Sequence, residues 1–159
     1  MKEEIVGIDK NYWTDAFYGV LTFVGIFLLS FIFPGLGTIG IPSVAQSIAS
    51  ATGRFIVIVG IAPIFETFFF FGIVLFLFYR KMKLPFLVSA IFSSVIFLIF
   101  HISAYGDFSS ASGSFITAGI MGMVFAYQTK LTNSLIPATV THACLNLAIA
   151  YLSLAVIVG

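Results

Sequence analysis

Long apolar runs, separated by short polar or helix-breaking stretches, account for most of the chain. A helix that crosses the hydrocarbon core of a bilayer needs roughly 20 mainly apolar residues. On this basis the runs predict spans at residues 16–33, 54–80, 84–105, 114–129 and 134–158. Residues 38–53 are small and weakly polar, which predicts a surface loop with a short interfacial helix. The pattern therefore predicts an all-α, polytopic membrane helix bundle of about five transmembrane helices, forming one domain over residues 1–159.

Particular residues refine this prediction. The polar residues 1–15 precede the first run, and Tyr12 and Trp13 at their end are typical of an interfacial anchor. Pro63 lies inside the second run and predicts a kink or a restart of that helix, because proline removes a backbone donor and clashes with the preceding turn. Pro137 falls in the first turn of the fifth run, where proline is tolerated. Small residues at four-residue spacing predict close packing of the fourth helix: Ala118, Gly122 and Ala126.

Composition supports a membrane protein and excludes several function classes. The chain is 60% hydrophobic and 8% charged, with a mean hydropathy of +1.17, whereas soluble proteins have about 25% charged residues. The net charge of +1 says little about partners, but the absence of a basic stripe or of interleaved aromatic and basic residues argues against nucleic-acid binding. The expected surroundings are a lipid bilayer and, as one alternative, a larger membrane-protein complex.

Loop charges predict the orientation in the membrane. Five spans with a cytoplasmic N-terminus place nearly all the cations on the cytoplasmic side, as the positive-inside rule requires. These cations are Lys2, Lys10, Arg80, Lys81, Lys83 and Lys130. Only Arg54 is then outside, as is the C-terminus.

Four strongly polar residues lie within the predicted spans: Glu66, His101, His142 and Asn146. A charged group at mid-bilayer costs roughly 2.5 to 3.5 kcal/mol, so such a residue predicts a function. His142 and Asn146 are four residues apart and share a helix face. Measured from the cytoplasmic helix ends, the four residues lie at depths of about 13 to 26 Å. Each alone is explained by interhelical hydrogen bonding, but together, on three helices, they predict one shared site.

The chemistry of these four side chains suits the hydrolysis of an amide bond. A glutamate in apolar surroundings can act as a general base. Two imidazoles can position a water or, together with Glu66, bind zinc or another divalent metal through His101 and His142. The Asn146 amide can donate to the oxyanion of a tetrahedral intermediate. No serine or cysteine has a convincing neighbouring base, so covalent catalysis is the weaker alternative.

The order of these residues resembles the CPBP family of intramembrane proteases, also called the CAAX prenyl protease 2 or Abi family. Its motifs are EExxxR, often within APxxEExxFRG, followed by FxxxH and HxxxN. The matching segments are Ala62 to Gly72 (APIFETFFFFG), Phe97 to His101 (FLIFH) and His142 to Asn146 (HACLN). The resemblance covers about residues 60–150 and implies a four-helix core.

The first motif departs from the family pattern at two positions. Thr67 stands where the second glutamate is expected, and Phe71 stands where the arginine is expected. One negative and one positive charge are thus replaced together. This predicts that an ion pair has been exchanged for neutral packing, which can be neutral or favourable in energy.

The resemblance implies an intramembrane endopeptidase. It implies Glu66 as the base that activates water, His101 and His142 as ligands of water or metal, and Asn146 as the oxyanion donor. The implied substrates are prenylated CAAX-type peptides or peptides linked to bacteriocin processing and immunity. Two alternatives stay open: a catalytically inactive relative that acts as a scaffold or binds a peptide or lipid, and a haem or proton-relay protein that uses the two histidines.

Overall fold

A computed structural model describes residues 11–32, 51–105 and 112–158. The regular elements of these residues are all helical, which confirms the predicted all-α membrane bundle. The helices are α1 (Tyr12–Ile32), α2 (residues 51–81), α3 (Phe86–Tyr105), α4 (Ser112–Thr132) and α5 (Ile136–Val158). Their bounds lie within a few residues of the predicted spans. Most of the loop predicted at residues 38–53, and the N-terminal residues 1–10, lie outside the described residues.

Helix α2 alternates between two hydrogen-bonding patterns. Its π-helical segments, Ile56–Ile61, Thr67–Val74 and Leu77–Lys81, are separated by α-helical turns, one of which is Ala62–Glu66. The kink or restart predicted at Pro63 takes the form of a restart: the π segment ends at Ile61 and an α-helical segment begins at Ala62, with Pro63 in its first turn. Ile61 and Ala62 keep right-handed helical dihedrals, so the chain does not leave the helix. The wider π turn tolerates a residue that lacks an N–H and whose ring crowds the turn before it.

Neighbouring helices run antiparallel, as their paired contacts show. Between α2 and α3, Glu66 faces His101 and Phe70 faces Phe97; between α3 and α4, Leu98 faces Gly119 and Ser94 faces Gly122; between α2 and α5, Glu66 faces His142 and Ile58 faces Asn146. In each pair the residue number rises along one helix and falls along the other. Helices α2 and α4 consequently point the same way.

Close approach between helices depends on small residues. A Cβ on Gly122 would lie 2.9 Å from the Ser94 hydroxyl oxygen, so α3 and α4 could not pack this closely with a larger residue there. Ala126 on the same face of α4 is fully buried. The small-residue spacing therefore predicted the packing of α4 correctly.

Helix α1 packs against α5. A Cβ on Gly19 would lie 2.7 Å from the Pro137 carbonyl oxygen. The Thr141 hydroxyl lies 2.9 Å from the Gly19 carbonyl oxygen and can donate to it. Trp13 is 85% exposed, which suits an interfacial anchor, but Asp15 is buried in the first turn of the helix instead of belonging to a polar tail.

The outer surface of the bundle is apolar. Large hydrophobic side chains are exposed along α2 and α3, among them Ile64, Phe65, Phe68, Ile91 and Ile99. Two helical segments, Tyr12–Leu29 and Ile56–Lys81, are long and apolar enough to cross a membrane, and Phe86–His101 and Ile136–Ala150 are shorter apolar helices. A bundle with this exterior suits lipid as its solvent.

Candidate active site

Glu66 ends the short α-helical segment Ala62–Glu66 of α2, immediately before the second π segment. Its side chain is 14% exposed, and Oε2 is buried without a hydrogen-bond partner. Buried polar atoms in proteins are nearly always paired, so an unpaired carboxylate oxygen needs an explanation.

His101 lies in α3, one helical turn after Phe97. Its Nδ1 lies 2.9 Å from the Phe97 carbonyl oxygen. Because a carbonyl oxygen only accepts, this contact places a proton on Nδ1. In the neutral ring Nε2 is then an acceptor, and it lies 3.6 Å from Glu66 Oε2.

His142 lies in α5 and approaches the same oxygen of Glu66. Its Nε2 is also 3.6 Å from Glu66 Oε2, and the side chain is 7% exposed. Nδ1 of this ring is buried without a hydrogen-bond partner. The ring is held by aromatic packing, since it stacks on Phe125 of α4 with centroids 5.1 Å apart.

These three side chains converge on one point. Both distances to Oε2 are too long for direct hydrogen bonds, and Oε2 is almost completely enclosed by protein atoms. An ionised carboxylate and the acceptor nitrogen of His101 cannot bond to each other without a donor between them. A donor that reaches both groups, such as a water molecule admitted when the side chains move slightly apart, would satisfy both acceptors.

The metal role predicted for His101, His142 and Glu66 gains no support from the described residues. Over the described ranges, no group of three or more His, Cys, Asp or Glu side chains is placed so that it could hold a metal ion. A catalytic zinc centre needs three such ligands and an open fourth position. A metal bound by these three residues therefore stays a prediction.

Asn146 lies one helical turn beyond His142 but does not reach Glu66 by a hydrogen bond. Its Nδ2 donates to the carbonyl oxygen of Ile58, at 2.8 Å. Of the four polar residues predicted to share a site, the structure thus brings three side chains together and engages the fourth with the backbone of α2.

The two departures from the family motif are both buried. Thr67 is fully buried and Phe71 is 1% exposed. Phe71 packs against Phe97 and Phe125, with ring centroids 5.4 and 5.5 Å away. Where an arginine is expected, the chain therefore has an aromatic ring in a neutral core, in keeping with the predicted exchange.

The sequence did not identify Phe125 as part of the site. This ring is 1% exposed, stacks on His142 and contacts Phe71. Phe97 similarly contacts His101, with centroids 4.2 Å apart. Phe97 and Phe125 therefore contact the two imidazoles directly, and Phe71 packs against both of these rings. In a chain with 20 phenylalanines, no sequence signal distinguishes Phe125 from the others.

The family model described as type II CAAX prenyl endopeptidase, Rce1-like, matches residues 48–148. No curated protein and no solved structure matches the chain. The matched region covers well over half of the chain and contains all three motifs, together with Glu66, both histidines and Asn146. The chain therefore belongs to the Rce1-like family of type II CAAX prenyl endopeptidases.

Proposed function

We propose that the protein is an intramembrane endopeptidase that hydrolyses a peptide bond with a water molecule activated by Glu66. The observation that carries this proposal is the convergence of Nε2 of His101 and Nε2 of His142 on Oε2 of Glu66, each at 3.6 Å. This oxygen is otherwise unpaired. Family membership supports a peptidase of the CAAX-protease type.

The proposed reaction begins with a water between Glu66 and the two imidazoles. Glu66 takes a proton from the water while the water oxygen attacks the carbonyl carbon of the scissile bond. The tetrahedral intermediate then breaks its C–N bond, and the proton on Glu66 passes to the leaving amine nitrogen. Throughout, His101 and His142 hold the water in line for attack. One amide N–H of Asn146 is engaged with the Ile58 carbonyl, so the oxyanion role that the resemblance implies for Asn146 would need its other N–H.

Glutamine at position 66 tests the proposal, because it keeps the shape of the side chain and cannot accept the proton. We expect Glu66→Gln to lower cleavage of a farnesylated CAAX reporter peptide in detergent micelles by at least about 10³-fold. Its apparent Tm should stay close to that of the wild type. Phe65→Leu, at an exposed neighbouring position on α2, is the control and should cleave normally. Undiminished cleavage by Glu66→Gln would contradict the assignment.

A catalytically inactive relative is the second candidate function, favoured by the neutral residues Thr67 and Phe71 in the first motif. In this case the polar cluster holds the helices together or binds a peptide or lipid. Alanine at Glu66, His101 or His142 would then lower the apparent Tm markedly, and the wild type would cleave neither prenylated nor unprenylated peptides. The peptidase proposal instead predicts little change in Tm for these alanine variants. It also predicts that the wild type cleaves a prenylated peptide.

We further propose that all five helices cross the membrane, with the N-terminus cytoplasmic. Arg80 and Lys81 lie in the last turn of α2, and Lys130 lies in the last turn of α4. Because α2 and α4 point the same way, these cations lie at one end of the bundle. Lys130 Nζ also lies 4.1 Å from the ring centroid of Phe86, which begins α3 directly after the basic turn. The clustering supports a cytoplasmic end at this side.

A further inference from the structure

Pro63 leaves a backbone carbonyl of α2 without a helical donor. In the π segment Ile56–Ile61, the N–H of Ala62 donates to the carbonyl of Val57, five residues earlier. By the same register the carbonyl of Ile58 would accept from residue 63, but proline has no N–H. The only donor in the α register is the N–H of Ala62, which is engaged with Val57. The Ile58 carbonyl must therefore find its partner outside its own helix.

Asn146 of α5 is that partner. Its amide nitrogen lies 2.8 Å from the Ile58 carbonyl oxygen. In a bundle surrounded by lipid there is no bulk water to replace such a donor, so the bond between the two helices compensates for the proline.

The same pair of helices carries two of the groups that converge at the site. His142 lies one turn before Asn146 on α5, and Glu66 lies eight residues after Ile58 on α2. Helices α2 and α5 thus meet at two levels, once through Glu66 and His142 and once through Ile58 and Asn146. Disturbing the second contact displaces the turn of α2 that leads to Glu66.

We infer that Asn146 is a positioning residue: it caps the carbonyl orphaned by Pro63 and thereby fixes Glu66 of α2 against His142 of α5. This role differs from direct donation to the reacting oxyanion. It rests on the proposed peptidase function only for its kinetic readout, because its effect on stability is measured without a substrate.

A double-mutant cycle between Pro63→Ala and Asn146→Ala tests the inference. Alanine at position 63 restores an N–H, so the Ile58 carbonyl gains a helical donor in either the π or the α register. In the wild-type background we expect Asn146→Ala to lower the apparent Tm in detergent by about 2–4 °C or more. In the Pro63→Ala background the loss of Tm should fall to less than half of that value, because the Ile58 carbonyl then has a donor other than Asn146.

Kinetics on the farnesylated reporter peptide separate the three possible roles of Asn146. A positioning role predicts that Asn146→Ala lowers kcat by about 10- to 100-fold with KM unchanged. It also predicts that the loss shrinks to about 3-fold or less in the Pro63→Ala background. A direct oxyanion donor would lose about 10² to 10³ in kcat equally in both backgrounds. A purely structural role would leave kcat per folded molecule unchanged. Either of the last two results overturns the inference.

Two further variants keep the experiment decisive. Pro85→Ala, at an exposed proline outside α2, is the matched control and should show no coupling with Asn146→Ala. If Asn146→Ala does not fold in the wild-type background, Asn146→Ser takes its place, because it shortens the side chain and keeps a hydroxyl donor. Equal effects of Asn146→Ser on Tm in both proline backgrounds would overturn the inference, even if the reporter peptide is not cleaved at all.

Discussion

At the residue scale, the site depends on neutral packing as much as on polar groups. His142 has no hydrogen bond at its buried Nδ1, so its orientation is set by the stacked ring of Phe125. Phe125 is in turn packed against Phe71, which stands where the family motif predicts an arginine. An arginine positions its neighbours by directed hydrogen bonds, whereas these rings do so by shape and edge-to-face contact.

Shortening Phe125 should therefore impair catalysis more than it impairs stability. Phe125→Leu removes the flat surface beneath His142 and leaves the imidazole free to rotate. We expect kcat for the reporter peptide to fall about tenfold or more with KM unchanged, and the free energy of unfolding to fall by only about 1–2 kcal/mol.

Phe76→Leu provides the control for this change. Phe76 is 49% exposed on α2, so its replacement should leave both kcat and the apparent Tm near the wild-type values. Full activity in Phe125→Leu would show that the stacked ring does not position His142.

The residues of the site were predictable to different degrees. Glu66, His101 and His142 stand out because a polar residue in an apolar span has few reasons to be there, and the structure brings their side chains together. The hydrogen-bond partner of the Asn146 side chain was not predictable from the depth of this residue in the membrane alone. Side chains four residues apart reach different targets, and the need for a donor at Ile58 arises from the hydrogen-bond register of another helix.

At the scale of the helices, hydrophobic run length predicted the elements well. All five described helices begin and end within a few residues of the predicted spans. The π segments of α2 were not predicted, because the hydrogen-bond register depends on tertiary contacts. One of these contacts joins Ser93 of α3 to the Phe70 carbonyl oxygen. A proline in an apolar run signals that a carbonyl loses its donor, but not how the helix adjusts.

The junction of α1 with α5 is a second element-level feature, and it lies partly outside the region shared with the family, because α1 precedes residue 48. A side chain at Gly19 would collide with the Pro137 carbonyl and with Val140. We expect Gly19→Leu to force the two helices apart and to lower the free energy of unfolding by about 1–3 kcal/mol.

Gly25→Leu is the matched control, because a Cβ at Gly25 meets nothing within 4 Å. Thermal unfolding in detergent measures both variants. A loss of stability in Gly25→Leu equal to that in Gly19→Leu would indicate a general effect of leucine on α1 and not a clash with α5.

At the scale of the whole molecule, the alternation of helix directions and the clustering of cations together define a topology that can be tested. Reactive cysteines can be introduced one at a time in a Cys144→Ser background, since Cys144 is the only cysteine. We expect a membrane-impermeant thiol reagent to label Ser110→Cys, between α3 and α4, in intact cells. Lys83→Cys, between α2 and α3, should be labelled only after the membrane is permeabilised.

The opposite labelling pattern would reverse the proposed orientation. Labelling of both positions from outside would contradict the proposal that α3 crosses the membrane. Cys144→Ser without an added cysteine is the control for expression level and for labelling. It should be labelled neither in intact cells nor after the membrane is permeabilised.

The π segments of α2 also affect whether residues can be deleted from this helix. A π turn holds one residue more than an α turn, so the loss of one residue between Ile58 and Glu66 can be absorbed by a change from π to α geometry. Glu66 and the Ile58 carbonyl would then still both face α5. Loss of a further residue would rotate one contact relative to the other by about 100°. Substitutions on the exposed face, at Phe65 or Phe68, leave the relative direction of the two contacts unaltered. The π turns therefore let this stretch lose one residue without loss of either contact with α5.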